Sequence, residues 1–224
     1  MRESIINHEL IKNYLKNMEM IAELNVSHAC VGGGDIEGPD RLNVGLLGCD
    51  FELDKDTDLY RISTIYEAGR WDAQPRSPLK APGLDVKEGD YLLAVNGRSL
   101  DTSEDPWAAF QGLAGQVVTL GVSHTPDVND ANDILVKPTS SESQLRHLAW
   151  VEANRQKVDE ATQGRVGYIY VPNTGTHGQN ELVRQFNPQW DKEGLIVDER
   201  FNGGGQYSDR FIELLNRPTL GYVS

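Results

Sequence analysis

Two short apolar runs in the last third of the chain constrain the fold most. The first is residues 167–170, within "GRVGYIYVP", and the second is residues 194–197, within "GLIVDERFNGGG". Continuous apolar runs are typical of strands in parallel sheets that are covered on both faces, whereas strands with one wet face alternate. Helices are predicted before and after these runs, over residues 144–161 and over "YSDRFIELLNR". The last third is therefore predicted to be an α/β unit with parallel strands.

The middle of the chain has a different pattern, with short alternating strands and frequent turns. Tyr60, Ile62 and Thr64 alternate with polar residues, which predicts a strand with one buried face. Asn96-Gly97 follows a strongly apolar run and predicts a tight hairpin. Asp105 followed by Pro106 predicts the start of a short helix. This region is expected to form an antiparallel β module.

The first part of the chain is predicted to contain one amphipathic helix over residues 5–24. Leu10, Tyr14 and Met18 recur at a spacing of four residues and would share one helix face. A glycine-rich loop follows. The expected domain organisation is a helical segment over residues 1–45, the β module over residues 46–138 and the α/β unit over residues 139–224.

The charge balance limits the partners of this protein. Lys and Arg total 21 against 34 Asp and Glu, so the net charge is −13. A surface this acidic repels nucleic-acid phosphates and anionic membranes. No window approaches the ~20 apolar residues of a membrane span, and "MRESIINHEL" lacks the apolar core of a signal peptide. We expect a soluble protein without a nucleic-acid partner or a membrane span. The cytoplasm is favoured, and the periplasm is left open if a longer parent protein has a signal peptide.

The cysteines and histidines do not predict a metal site. Cys30 and Cys49 form no CxxC pair, and no His/Cys cluster has the spacing of zinc ligands. Both are expected to be free buried thiols, with one disulfide left open. The acidic run "DFELDKDTD" lacks the central Gly and terminal Glu of a calcium loop, so a solvated turn is expected. No cofactor and no metal ion is predicted.

Two local motifs could carry chemistry. Ser27-His28 precedes the glycines of "VGGGD", and Gly203–Gly205 follow the second apolar strand. Taken locally, His28 reads as a polar residue at a helix end. The later glycine turn could be a phosphate cradle, although it lacks the Lys of a P-loop. Ser208 is expected to cap the following helix rather than act as a nucleophile. His177 is expected to be a solvated loop residue.

A family resemblance connects these motifs, because five segments resemble, in order, the carboxy-terminal half of the tricorn protease family. The segments are "NVSHA", "SPLKAPGLDVKEGDYLLAVNG", "WVEANRQKV", "GRVGYIYVP" and "GLIVDERFNGGG". That family is related to the carboxy-terminal-processing serine proteases. The resemblance implies a mixed α+β fold with an N-terminal helical segment, a circularly permuted PDZ-like β-barrel module and a partial α/β core that is ClpP/crotonase-like.

The resemblance also implies roles for individual residues. His28 would be the catalytic base and Ser27 would help to orient it. Gly204, with Gly203 as its neighbour, would supply an oxyanion-hole amide, although the sequence does not distinguish among Gly203, Gly204 and Gly205. The substrate would be a peptide or oligopeptide, and a longer parent could form a homo-oligomer.

The chain departs from the family pattern in one respect. The family's nucleophilic serine lies in a Gly-Ser-Asp motif, and no such motif and no G-x-S-x-G occurs in this sequence. The expectation is therefore a fragment of a serine peptidase that is inactive alone. The alternative is a non-catalytic PDZ-type module that binds an extended peptide by strand addition.

Overall fold

The computed structural model describes residues 8–25, 42–69 and 75–216, with the side chains of α1 described from residue 12 onward. The chain separates into two units, Met1–Arg41 and Leu42–Ser224. The first unit contains helix α1 (His8–Ala22), which ends two residues before the predicted range does. Among the described residues, no helix combines the length and the apolar character that crossing a membrane requires.

The second unit begins with an antiparallel sheet, as the alternating pattern predicted. Its strands are β1 (Cys49–Asp54), β2 (Leu59–Ile65), β3 (Tyr91–Val95), β4 (Arg98–Ser99), β5 (Val118–Ser123) and β6 (Asn132–Val136). The strand order is β1-β2-β3-β5-β6, and β4 pairs with β3. The predicted hairpin is confirmed, because Val95 pairs with Arg98 and both Asn96 and Gly97 have positive φ.

One side of this sheet covers an apolar core that includes a short 3₁₀ helix, Pro106–Phe110. Asp105 caps this helix, since its Oδ1 accepts the N–H of Trp107 at 2.8 Å. The cap is as predicted, although the helix is of the 3₁₀ type. The Trp107 ring lies 5.1 Å from Phe51 and 5.5 Å from Phe110, which is fully buried. These ring contacts attach the 3₁₀ helix to β1.

The second half of this unit is the predicted α/β arrangement. Its elements are α2 (Ser143–Thr162), β7 (Val166–Tyr170), α3 (Thr176–Phe186), β8 (Gly194–Asp198) and α4 (Ser208–Leu215). Strands β7 and β8 are parallel and pair from Val166↔Gly194 to Tyr170↔Asp198. Their buried residues pack against α3 and α4 through Leu182 and Phe211. The prediction of parallel strands is therefore confirmed, but only β7 is covered on both faces, since Ile196 of β8 is 45% exposed.

Helix α2 is joined to β1 by a cluster of charged groups. The Gly48 N–H donates to Glu142 Oε2 at 2.8 Å, and Arg146 donates to Asp50 Oδ1 at 2.7 Å. The guanidinium carbon of Arg146 lies 4.2 Å above the Tyr66 ring. The N-cap of α2 is Glu142, and its carboxylate binds Gly48 and Arg146 instead of the helix amides.

Side chains close the outer edge of β7. The Tyr168 N–H donates to Gln189 Oε1 at 2.9 Å, and Gln189 Nε2 donates to the Tyr168 carbonyl at 3.1 Å. Gln185 makes the same pair of bonds with Tyr170, at 3.0 and 3.1 Å. The two amides therefore replace a neighbouring strand along this edge, which protects it from pairing with another chain.

We expect Gln189→Ala to destabilise the protein by about 1–3 kcal/mol, because it leaves the N–H and C=O of Tyr168 without partners. Urea unfolding at a fixed pH measures this effect as a lower midpoint. Gln156→Ala is the matched control, since Gln156 is exposed on α2 and, within the described part of the chain, its side chain hydrogen-bonds Glu152 alone, at 3.3 Å. Equal midpoints for the two variants would show that the β7 edge does not depend on Gln189.

Candidate functional site

Two loops lie side by side where β7 and β8 end. The Gly203 N–H donates to the Pro172 carbonyl at 3.0 Å, and the Thr174 N–H donates to the Gly204 carbonyl at 2.9 Å. The Tyr207 N–H then donates to the Thr174 carbonyl, also at 2.9 Å. The carboxyl ends of parallel strands are the usual place for ligand sites in α/β folds. We refer to residues 201–205 as the glycine turn.

Two asparagine side chains complete the loop structure. Asn202 Oδ1 accepts the Gly204 N–H at 2.7 Å, and Asn202 Nδ2 donates to the Val171 carbonyl at 3.3 Å. Asn173 Oδ1 accepts the N–H groups of Gly175 and Gly178, each at 3.0 Å. Backbone groups that the two strands leave free are thus bound by side chains from the same loops.

The three glycines of the turn differ in what they require. At Gly205, φ is +150°, and a Cβ there would lie 2.3 Å from both Gly175 N and Thr174 C. At Gly204, φ is +78° but the space is open. At Gly203, a Cβ would come no nearer than 4.0 Å, to the Pro172 carbonyl oxygen. Only Gly205 is therefore required both by its backbone conformation and by close packing.

The predicted oxyanion donors are hydrogen-bonded within the turn. Gly203 donates to Pro172 and Gly204 donates to Asn202, so both N–H groups are occupied. The Gly205 N–H has no acceptor among the residues that the structure describes, and Gly205 is exposed. An incoming oxyanion needs a free, fixed amide donor. In this conformation Gly205 offers one.

Aromatic rings connect α2 to the glycine turn. His147 and Trp150 lie 4.8 Å and 5.6 Å from the Tyr170 ring, and Trp150 lies 5.9 Å from Phe201. His147 is half-buried on α2, and its ring packs against the end of β7. Phe201 is 83% exposed and has φ +64°, an unusual combination for a bulky side chain.

A cavity of about 330 Å³ lies between α2 and α3 beside this cluster. His147, Tyr170, Pro172 and His177 line it. Pro172 also accepts the Gly203 N–H, but none of the residues that line the cavity belongs to the glycine turn. His177 was predicted to lie in a loop and instead occupies the first turn of α3, where its side chain is exposed.

The most strongly perturbed carboxylate in the α/β part is Asp198, the last residue of β8. Hydrogen bonds from Arg200 and Tyr168 hold its pKa far below the ordinary range, although burial acts in the opposite direction. Burial, and then the hydrogen bond to Asp198, raise the pKa of Tyr168. Asp198 is therefore ionised and firmly hydrogen-bonded. Sequence reasoning missed Asp198, Arg200 and Asn202, because their roles depend on partners from other elements.

Several sequence predictions lie outside the described residues. Ser27, His28 and Cys30 belong to this group. Cys49 is described and is a free, buried thiol whose pKa burial raises.

The remaining candidate residues are described. Ser208 does not cap α4, since the N-cap is Tyr207 and Ser208 is the first helical residue. Among the described residues, no cluster of three His, Cys, Asp or Glu could hold a metal ion.

Comparison with known proteins connects both halves of the chain to one family. The "Tricorn protease PDZ domain" family matches residues 45–141. The chain is 36% identical to "Tricorn protease homolog 1" of Streptomyces coelicolor over 206 residues, which is 91% of this chain and 19% of that protein. It is 34% identical to the "Putative Tricorn-like protease C-terminal subunit" of Sulfurisphaera tokodaii, over 92% of this chain and 23% of that protein.

A solved structure shows the same relationship in three dimensions. The "Crystal structure of the tricorn protease" superimposes with a TM-score of 0.78 at 32% identity, over 92% of this chain and 20% of that chain. The chain therefore spans about a fifth of the length of the curated relatives and the solved structure that it matches.

Proposed function

Because this chain belongs to the tricorn protease family, we propose that it is the part of a serine peptidase that carries the catalytic base and one oxyanion-hole amide. The substrate is a peptide or oligopeptide. The reaction is acyl transfer, in which a serine outside this sequence attacks the scissile carbonyl and forms an ester that water then hydrolyses.

In this proposal His28 takes the proton from the nucleophilic serine and later gives it to the leaving amine. Ser27 helps to orient the imidazole. The developing negative charge on the carbonyl oxygen is stabilised by a backbone N–H of the glycine turn. Gly203 and Gly204 were the predicted donors. The free N–H of Gly205 makes this glycine the better candidate, with Gly203 and Gly204 as its support.

The observation that supports this proposal most is the construction of the glycine turn. It follows a parallel strand, is held by backbone hydrogen bonds to the neighbouring loop and leaves one amide free. A rigid scaffold lowers the cost of orienting a donor at the moment of reaction, which is how such amides accelerate acyl transfer. A phosphate-binding turn usually points several free backbone N–H groups at the ligand. In this turn two of the three glycine amides are already hydrogen-bonded.

The alternative is a non-catalytic module that binds peptides, which the match of residues 45–141 to a PDZ domain family favours. A PDZ-type site binds an extended peptide as an added strand. Here β1 and β6 are the two ends of the sheet. The backbone of Thr139, just after β6, is already paired with Leu46 by hydrogen bonds of 2.8 and 2.9 Å. A peptide added as a strand would therefore have to pair with other residues of these two edge strands.

Labelling with a serine-reactive fluorophosphonate probe tests the proposal. We expect no labelling of this chain, because it lacks the nucleophile motif, and stoichiometric labelling of a longer protein in which the same segment precedes a Gly-Ser-Asp motif. The longer protein should also hydrolyse fluorogenic peptides. A burst of acyl-enzyme on this chain alone, lost in Ser208→Ala, would overturn the assignment. Peptide binding without labelling or hydrolysis in the longer protein would establish the alternative.

A further inference from the structure

A buried carboxylate at the end of β8 has no part in the proposed acyl transfer. Asp198 is 8% exposed and accepts the Tyr168 hydroxyl at 2.7 Å and the Arg200 backbone N–H at 2.9 Å. Arg200 Nε lies 3.0 Å from both carboxylate oxygens, and Nη2 lies 2.5 Å from Oδ2. The Asp198 carboxylate thus joins Tyr168 of β7 to Arg200, two residues after the end of β8.

Arg200 contacts two further groups besides Asp198. Its guanidinium carbon lies 4.7 Å above the Trp150 ring of α2. The Tyr170 hydroxyl donates to the Arg200 carbonyl at 3.0 Å. A planar guanidinium that binds a carboxylate through several donors and stacks on an aromatic ring has little freedom to turn. These contacts restrain the Arg200 side chain, although it is 58% exposed, and the Tyr170 hydroxyl restrains its backbone.

The glycine turn starts immediately after Arg200. Phe201 follows with φ +64°, and the Asn202 N–H donates back to the Glu199 carbonyl at 3.0 Å. A left-handed conformation costs a bulky residue about 1–2 kcal/mol, and such strain persists where the surroundings enforce it. Asn202 then binds the Gly204 N–H. A continuous series of contacts thus runs from Asp198 to Gly204, the neighbour of Gly205, in addition to the hydrogen bonds of the turn with Pro172 and Thr174.

We propose that Asp198 and Arg200 are positioning residues that hold the glycine turn in the conformation that leaves the Gly205 N–H free. The use of this amide as an oxyanion donor rests on the proposed function. The anchoring of the turn does not, and it is measurable on this chain alone.

Two variants and one control separate this role from general stability. Asp198→Asn keeps the size of the side chain and removes its charge, and Arg200→Lys keeps the charge and removes the planar fork. Glu193→Gln is the matched control. Glu193 immediately precedes β8, at the end of the strand away from Asp198, and forms an exposed ion pair with Arg165 at 3.1 Å.

The first measurement is amide hydrogen exchange by NMR on this chain. The N–H groups of Gly203 and Gly204 are hydrogen-bonded in the turn, so release of the anchor should expose them. We expect their exchange to become about tenfold faster in Asp198→Asn and Arg200→Lys, and to stay unchanged in Glu193→Gln. The amides of Tyr60 and Leu92, paired in the antiparallel module, serve as internal references.

The second measurement is peptide hydrolysis by a longer protein that contains this segment and a nucleophile. We expect kcat to fall about 10²-fold in Asp198→Asn with KM within about twofold, since a displaced donor affects the transition state more than substrate binding. A role in folding alone would lower the yield of active enzyme without changing kcat per active site. Titration with the fluorophosphonate probe determines the concentration of active sites, so the two cases can be told apart.

The outcomes are distinct. Unchanged exchange at Gly203 and Gly204 in both variants would overturn the anchoring, whatever happens to stability. If Asp198→Asn does not fold, Tyr168→Phe removes one hydrogen bond from the same carboxylate, and about threefold faster exchange is expected. If the longer wild-type protein has no peptidase activity, the proposed function fails, while the exchange data still decide the anchoring.

Discussion

Gly205→Ala is expected to destabilise the protein by about 3 kcal/mol or more, the range associated with a backbone clash that the fold cannot relieve. The added methyl would lie 2.3 Å from Gly175 N and from Thr174 C. Both are backbone atoms of the loop that hydrogen-bonds the turn, so a shift that relieves the clash would break those bonds. The backbone at Gly205 also has φ +150°, which residues with a Cβ rarely adopt.

The neighbouring glycines are matched controls for this prediction. At Gly204 only the φ of +78° opposes a side chain, so alanine should cost about 1 kcal/mol. At Gly203 the nearest atom to an added Cβ is 4.0 Å away, and alanine should change stability by less than about 0.5 kcal/mol. Urea unfolding of the three variants measures the order. Equal costs at the three positions would show that the close approach of the two loops does not exist in solution.

Removal of the His28 imidazole is expected to have the largest effect on activity. In a longer protein that contains this segment and a nucleophile, His28→Ala should lower kcat by about 10³-fold or more, because the serine then loses its proton acceptor. KM should stay within about twofold, since the imidazole acts mainly on the transition state. Steady-state kinetics with a fluorogenic peptide, normalised to folded protein, measures both constants.

His124→Gln is the control for this substitution. His124 lies in the antiparallel module, where its Nδ1 is 2.7 Å from Asp90 Oδ1. Its loss should leave kcat within about twofold of the wild-type value. Near-normal turnover by His28→Ala would exclude His28 as the base. A loss of similar size in His124→Gln would show that the assay responds to stability rather than to the catalytic group.

Local sequence was sufficient for the elements whose signals are contained in a few neighbouring residues. The Asn96-Gly97 hairpin and the Asp105 cap are examples, because a positive φ or a capping bond depends on residues at most three positions apart. The apolar runs also identified β7 and β8 as parallel strands. The second run is as apolar as the first although Ile196 of β8 is 45% exposed, so the composition alone did not show how far each strand is covered.

Helix α3 was not predicted, and the reason is a local signal that favours a loop. Its start is rich in Gly, Asn and Thr, and its buried positions are Gly178 and Leu182. Gly178 is needed because a Cβ there would lie 1.5 Å from the Asn173 carbonyl oxygen, a contact with a residue of the preceding loop. Ser208 was wrongly assigned as a cap, because α4 begins at Ser208 itself, one residue earlier than the serine pattern implies.

What the sequence determined by itself is the kind of protein: an antiparallel module followed by parallel strands, with a glycine turn after the second strand and a histidine far ahead of it. The tertiary structure alone decided which groups of that turn are free. Pro172 and Asn202 occupy the amides of Gly203 and Gly204, and the amide of Gly205 has no acceptor within the described part of the chain. Hydrogen bonds between loops that are about thirty residues apart in sequence depend on how the strands and helices pack. The sequence shows only which groups are able to donate or accept, and not which of them meet.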